Sequence, residues 1–251
     1  MTTIDIELST PVNLRDLGGI RVAGGTVHEG IAIRTDDLAY VPRETADELV
    51  AAGLGAIIDL RSPAEVAATG RGLLADYTVA YHHLPLIADV GAATERATGF
   101  SHESMGAMYL DIVEQAAPRL VTALNVIAHA EGATAFHCAA GRDRTGVLAA
   151  MLLLVLGADD DDIVADYART GANMPAIIAR TRPAMAAMWQ ALGFDVDAPQ
   201  TDALLAGPMD VSMRILLDTL RERHGDPLTP LREAGLSDDT IARLRERAIA
   251  V

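Results

Sequence analysis

A short apolar run, Ala-Thr-Ala-Phe at 133–136, precedes a longer one, Val-Leu-Ala-Ala-Met-Leu-Leu-Leu-Val-Leu at 147–156. The first has the length of a buried strand and the second that of a buried helix. Both must be covered on all sides, so the chain has to place further strands and helices around them. An α/β domain with a central, mostly parallel sheet flanked by helices meets that demand. The connection between the two runs reads His137-Cys138-Ala139-Ala140-Gly141-Arg142-Asp143-Arg144-Thr145-Gly146 and holds the single cysteine of the chain.

The remaining sequence supplies the covering elements. Gly24-Gly25 marks a hairpin between Val22 and Val27, and Ile31-Ala32-Ile33-Arg34 a strand behind it. Further strands are expected at 56–60 and 79–86. Helices are expected at 42–50, 64–69, 104–116, 118–130, 159–170, 211–224 and 237–250. The Met- and Ala-rich stretch 172–205 reads as one or two amphipathic helices that cover a site rather than build the core. A length of 251 residues, half of them hydrophobic, suits one domain, 1–251.

The cysteine loop carries the chemistry. Cys138 lies just ahead of a helix N-terminus, where unpaired N–H groups and the helix dipole favour an anion. Arg142 and Arg144 lie in the same loop, and both influences favour the thiolate over the thiol. Glycines at 141 and 146 let several N–H groups turn inward as a phosphate cradle, to which Ala139, Ala140, Gly141 and Arg142 contribute. Arg144 suits a clamp on two phosphoryl oxygens, because its planar fork matches them where a lysine could not. Thr145 is placed to donate to the sulfur, and His137 to brace the loop. The bland alternative is a buried structural cysteine.

Other chemistries fit less well. A second cysteine is missing and His82, His83 and His137 lack ligand spacing, so no metal site and no cofactor are expected. The GxxxxGK[ST] pattern of a nucleotide loop is also missing. A net charge of −15 argues against nucleic acid as a bulk partner. Ten consecutive apolar residues are too few to span a bilayer, so no stable membrane insertion is expected. The N-terminus shows no signal-peptide pattern, which predicts a cytoplasmic protein, or one exported without such a signal.

The stretch 137–145 matches the HCxxGxxR[ST] signature, and with it the chain resembles the protein tyrosine phosphatase superfamily. Asn13-Leu14-Arg15-Asp16-Leu17-Gly18-Gly19, Arg34-Thr35-Asp36-Asp37-Leu38 and Asp59-Leu60-Arg61-Ser62-Pro63-Ala64-Glu65-Val66 narrow the likeness to a bacterial branch containing protein and lipid phosphatases. The resemblance implies a tyrosine-phosphatase-like fold, a phosphocysteine intermediate and no metal. Its substrates would be phosphorylated proteins (phosphotyrosine, with phosphoserine and phosphothreonine) or a phosphoinositide. Many members carry Lys where Arg142 stands, and one has a mobile helical lid that 172–205 resembles. The Trp-Pro-Asp loop that supplies the acid in many relatives is missing, so Asp143 is the first choice for that role, ahead of Asp36, Asp37 and Asp89. Asp37 and Arg61 are expected at the substrate, and Arg34 and Asp16 as supports of the loop. Outside this reading stand a catalytically idle phosphate-binding module and a rhodanese-like sulfurtransferase, which also seats a cysteine between strand and helix.

Overall fold

The computed structural model describes residues 7–88, 101–191 and 209–250. The N-terminal half lays down β1 (Arg15–Asp16), the hairpin β2 (Arg21–Val22) and β3 (Gly25–Val27), and β4 (Ala32–Thr35). Next come α1 (Arg43–Ala51), β5 (Leu54–Asp59), α2 (Pro63–Thr69) and β6 (Ala80–His83). Helices α3 (His102–Gln115) and α4 (Ala117–His129) lead into β7 (Ala133–His137) and α5 (Asp143–Leu156). The chain continues through α6 (Asp160–Ala191), α7 (Asp210–His224), α8 (Thr229–Glu233), α9 (Asp238–Ala248) and β8 (Ile249–Ala250).

The main sheet has the order β1-β4-β7-β5-β6. Its three inner pairings, β4 to β7, β7 to β5 and β5 to β6, are parallel, and only β1 runs antiparallel, at the edge. Register aligns Thr35, His137, Asp59 and His83 in one row at the C-terminal ends of the parallel strands. The loops leaving that row therefore open on one side, where ligands of α/β sheets gather. A small antiparallel sheet, β2-β3-β8, ties the last residues of the chain to the hairpin.

Strand β7 is buried at every position and α5 from Arg144 to Leu156, as their unbroken apolar patterns require. Helix α5 packs against α3, α4, α6 and α9 as well as strands β4 and β7, which leaves it no wet face. Gly157 closes the helix in the left-handed conformation (φ 84°) and donates to Leu153 and Leu154.

Three expectations change. Helix α5 begins at Asp143, not at 147, so Asp143, Arg144 and Thr145 occupy its first turn. An acidic first residue suits the positive end of the helix dipole. Helix α6 also runs unbroken from Asp160 to Ala191, where separate helices were expected, and it contains Pro175 and Pro183. Residues 192–205 of the expected lid, like Asp89, lie outside the described residues. The strand β8 and helix α8 were not anticipated, because two- and five-residue elements carry too little periodicity to read.

Candidate active site

Cys138 follows the last residue of β7 and is 1% exposed. The loop after it is shaped by where its carbonyls go. Ala139 O accepts from the N–H of Asp37 at 3.1 Å, and Ala140 O from Asn13 Nδ2 at 3.5 Å. Gly141 O accepts twice, from Arg34 Nη2 at 2.9 Å and Asn13 Nδ2 at 3.1 Å. A trans peptide points its N–H opposite to its C=O. Tying three successive carbonyls to the outer frame thus turns the N–H groups of Ala140, Gly141 and Arg142 the other way. Among the described residues, none of the N–H groups of 139–142 donates to a protein atom. The first turn of α5 adds its own free N–H groups to this nest. Gly141 makes the bend with φ 65°, and a Cβ there would lie 2.4 Å from the Thr35 carbonyl.

Arg144 is held from behind. Its Nη1 and Nη2 donate to Oε2 and Oε1 of Glu65 at 2.6 and 2.8 Å, a bidentate pair. Glu65 also closes a capping box with Ser62 at the start of α2, so the helix cap and the arginine share one carboxylate. Burial alone would push Glu65 up, but Arg144 and the Ser62 groups bring it down to about 2. Burial likewise opposes the charge on Arg144, and Glu65 overrides it and raises the guanidinium above its ordinary value. Two of the five guanidinium hydrogens are used on Glu65, which leaves three for a ligand. The Thr145 hydroxyl is fully buried without a hydrogen-bond partner among the described residues.

Asp143 keeps 27% of its side chain exposed. Its Oδ1 accepts from the Tyr109 hydroxyl and lies 3.1 Å from Arg142 Nε, an ion pair without the alignment of a hydrogen bond. The guanidinium of Arg142 is buried, with Nε and Nη2 lacking acceptors among the described residues. Burial disfavours its charge, and Asp143, Tyr109 and Tyr167 outweigh that and raise it. Arg142 thus gives the nest its backbone while its side chain packs beside Asp143. Ala139 and Ala140 are half-buried and form the accessible part of the loop.

The supports differ in part from those expected. Arg34 does brace the loop, joining Gly141 O to Asp166 on α6. His137 does so too, with Nδ1 3.3 Å from the Cys138 carbonyl. A carbonyl only accepts, so Nδ1 carries the hydrogen there. Asp16, expected at the loop, instead accepts from the N–H groups of Gly18 and Gly30 and shapes the turn after β1. Arg61 and Asp37, expected at the substrate, are bracing groups. All five Arg61 donors are spent on Asp59, Asp37, Thr69 and the Gly70 carbonyl, so none remains for a ligand. Asp37 is buried on Arg61 and the N–H of Ala39. Burial works against the Asp59 carboxylate, yet His137 and Arg61 hold it well below the usual range. Asp36 is fully buried against Arg180 of α6 at 2.6 Å.

Sequence reading missed Glu65, Asn13, Asp166, Tyr109 and Tyr167. The Ser62-Pro63-Ala64-Glu65 capping pattern was a local signal for Glu65. Asn13 stood in a stretch quoted only for its family likeness, and Asp166, Tyr109 and Tyr167 are brought in by long-range packing that left no local mark. Among the described residues no His, Cys, Asp and Glu cluster could hold a metal ion, and no helix is long and apolar enough to cross a membrane.

A family model described as the tyrosine phosphatase family matches residues 6–250. The chain belongs to that family. A provisionally named tyrosine-protein phosphatase of Cupriavidus necator is 33% identical over 171 residues, covering 65% of this chain and 62% of its own. A tyrosine-protein phosphatase of Nostoc commune is 31% identical over 137 residues, covering 54% of this chain and 47% of its own. The chain thus spans less than two thirds of those two relatives. The triple specificity protein phosphatase PtpB of Mycobacterium tuberculosis is 31% identical over 281 residues, covering 95% of this chain and 97% of its own.

Proposed function

We propose that this chain is a cysteine-dependent phosphomonoesterase whose first substrate class is phosphotyrosine in proteins. One arrangement carries the reading: Cys138 opens a nest of unpaired N–H groups, beside an arginine that Glu65 holds with three donors left over. Such a nest fits the equatorial oxygens of a phosphoryl group and stabilises the charge that builds on them. Cys138 Sγ attacks phosphorus, the ester P–O bond breaks, and Asp143 protonates the leaving oxygen. Water then cleaves the S–P bond, with Asp143 taking its proton and Thr145 donating to the departing sulfur. Ala139, Ala140, Gly141 and the backbone of Arg142 line the phosphate.

The family match supports the reaction type. The depth of Cys138, 1% exposed, supports an aryl ester, whose length carries the phosphate below the surface. The name of the mycobacterial relative supports a range wider than one phospho-residue, and a phosphoinositide is the second class to test. The length of α6, from the site at Asp166 to Ala191, supports reading its part of the expected lid, 172–191, as a covering element of a single domain. A thiol nucleophile suits a reducing compartment.

The test is trapping. Acid quench of the wild type with a labelled aryl phosphate should capture phosphate on Cys138, and Cys138→Ser should bind the ester without turnover. Turnover by Cys138→Ser, or a wild type that transfers sulfur from thiosulfate and leaves aryl phosphates intact, would overturn the proposal.

A further inference from the structure

Three hydroxyl and carboxyl groups form a line running inward from the candidate site. Tyr109 on α3 donates to Asp143 Oδ1, and its own oxygen lies 2.6 Å from the Tyr167 hydroxyl on α6. The single hydrogen of Tyr109 is committed to Asp143, so Tyr167 is the donor to Tyr109. Both tyrosines are essentially inaccessible, at 0% and 1%, and their rings meet edge-to-face with centroids 6.0 Å apart. Two buried hydroxyls in an apolar core are costly unless each bond is made, so the pair is a built feature rather than loose filling. Burial first, and then Asp143 for Tyr109, raise both hydroxyls above their ordinary value, so they remain donors.

The line has a consequence for Asp143. The hydrogen bond from Tyr109 and the nearest approach of Arg142 both fall on Oδ1, and among the described residues Oδ2 accepts no hydrogen bond. A carboxyl whose one oxygen is fixed from behind presents the other forward. We infer that Tyr109, backed by Tyr167, is a positioning residue that fixes Oδ1 of Asp143 so that Oδ2 carries the transferred proton. The inference rests on the reading of Asp143 as the general acid. In the first step Sγ–P forms and ester P–O breaks. The proton leaves Oδ2 for the ester oxygen, while the Tyr109 hydrogen stays where it is. In the second step Oδ2 regains a proton from the attacking water. The charged groups facing Asp143 are Arg142 and Arg144, and neither tyrosine changes charge in the cycle.

The experiment compares phenyl phosphate, a poor leaving group, with a nitro-activated aryl phosphate that needs little protonation. Asp143→Asn should lower kcat on phenyl phosphate by about 100-fold and far less on the activated ester. Tyr109→Phe should lower it by about tenfold on phenyl phosphate and less than twofold on the activated ester, through an acid that is mis-aimed rather than lost. In the Asp143→Asn background, Tyr109→Phe should cost nothing further on phenyl phosphate. An equal loss on both esters, or an undiminished effect in that background, overturns the inference. Asp143→Asn failing to separate the two esters overturns the acid assignment instead, a distinct result. If Tyr109→Phe does not fold, Tyr167→Phe decides by the same ratio: a shift supports the line of donors, and an unchanged ratio overturns it.

Discussion

Replacing Glu65 by Gln removes a charge from behind Arg144 while keeping its shape. Glu65 is 4% exposed, and Arg144 answers it with two short hydrogen bonds. Its ordinary value of 4.5 falls to about 2 in the folded chain. A displacement of that size is worth about 3 kcal/mol at neutral pH. Gln keeps an acceptor for the Ser62 N–H, so about 3 kcal/mol is an upper bound on the loss. Because the folded value lies below the unfolded one, the unfolded chain binds the proton first. The stabilisation is therefore complete above about pH 5 and fades as the pH falls toward 2. Urea unfolding of wild type and Glu65→Gln should show a gap of about 3 kcal/mol at neutral pH that shrinks by about half near pH 3. The same variant should bind inorganic phosphate more weakly, because Arg144 is no longer held in one orientation. A gap that stays constant across this pH range would refute the argument that the pair's charge, rather than its packing, sustains it.

Gly141→Ala should lower kcat/KM by about 100-fold, because the new Cβ meets backbone atoms that cannot yield and displaces the nest. Gly225→Ala is the control: its φ is 76° but nothing lies within 4 Å, so it should cost about 1 kcal/mol of stability and no activity. Asp166→Asn should destabilise the fold by about 3–5 kcal/mol, since Arg15 and Arg34 would share a neutral amide inside the protein. A thermal melt would check it, and an unchanged midpoint would show that the two arginines find other partners.

The cysteine loop could be read because its evidence is local. Cys138, Gly141, Arg144 and Thr145 fall within one short stretch between two apolar runs, and apolar runs of fixed length announce a strand and a helix directly. The α/β class followed from the same runs, since a strand and helix that are apolar all round must be covered by other layers. The helix start was misplaced by four residues because Asp143, Arg144 and Thr145 are polar. The side chains of Arg144 and Thr145 are buried, and that of Asp143 partly so, by tertiary packing that no hydropathy pattern contains.

The supporting shell is of another kind. Arg15, Arg34, Arg61 and Asp37 recur at strand ends, and the chain alone cannot say whether an arginine there faces a ligand or a carboxylate. Only the packing of α2 against the loop assigns Glu65 to Arg144. Only the arrival of α6 brings Asp166 to Arg34 and Tyr167 to Tyr109. Residues far apart in sequence meet there because register aligns the strand ends in one row. By itself the sequence determined the fold class and pointed to Cys138 and Arg144 as the proposed nucleophile and phosphate clamp, because those residues are neighbours along the chain. The tertiary structure decided which charged side chains brace the site and which remain free, because ion-pair partners are chosen by distance in space.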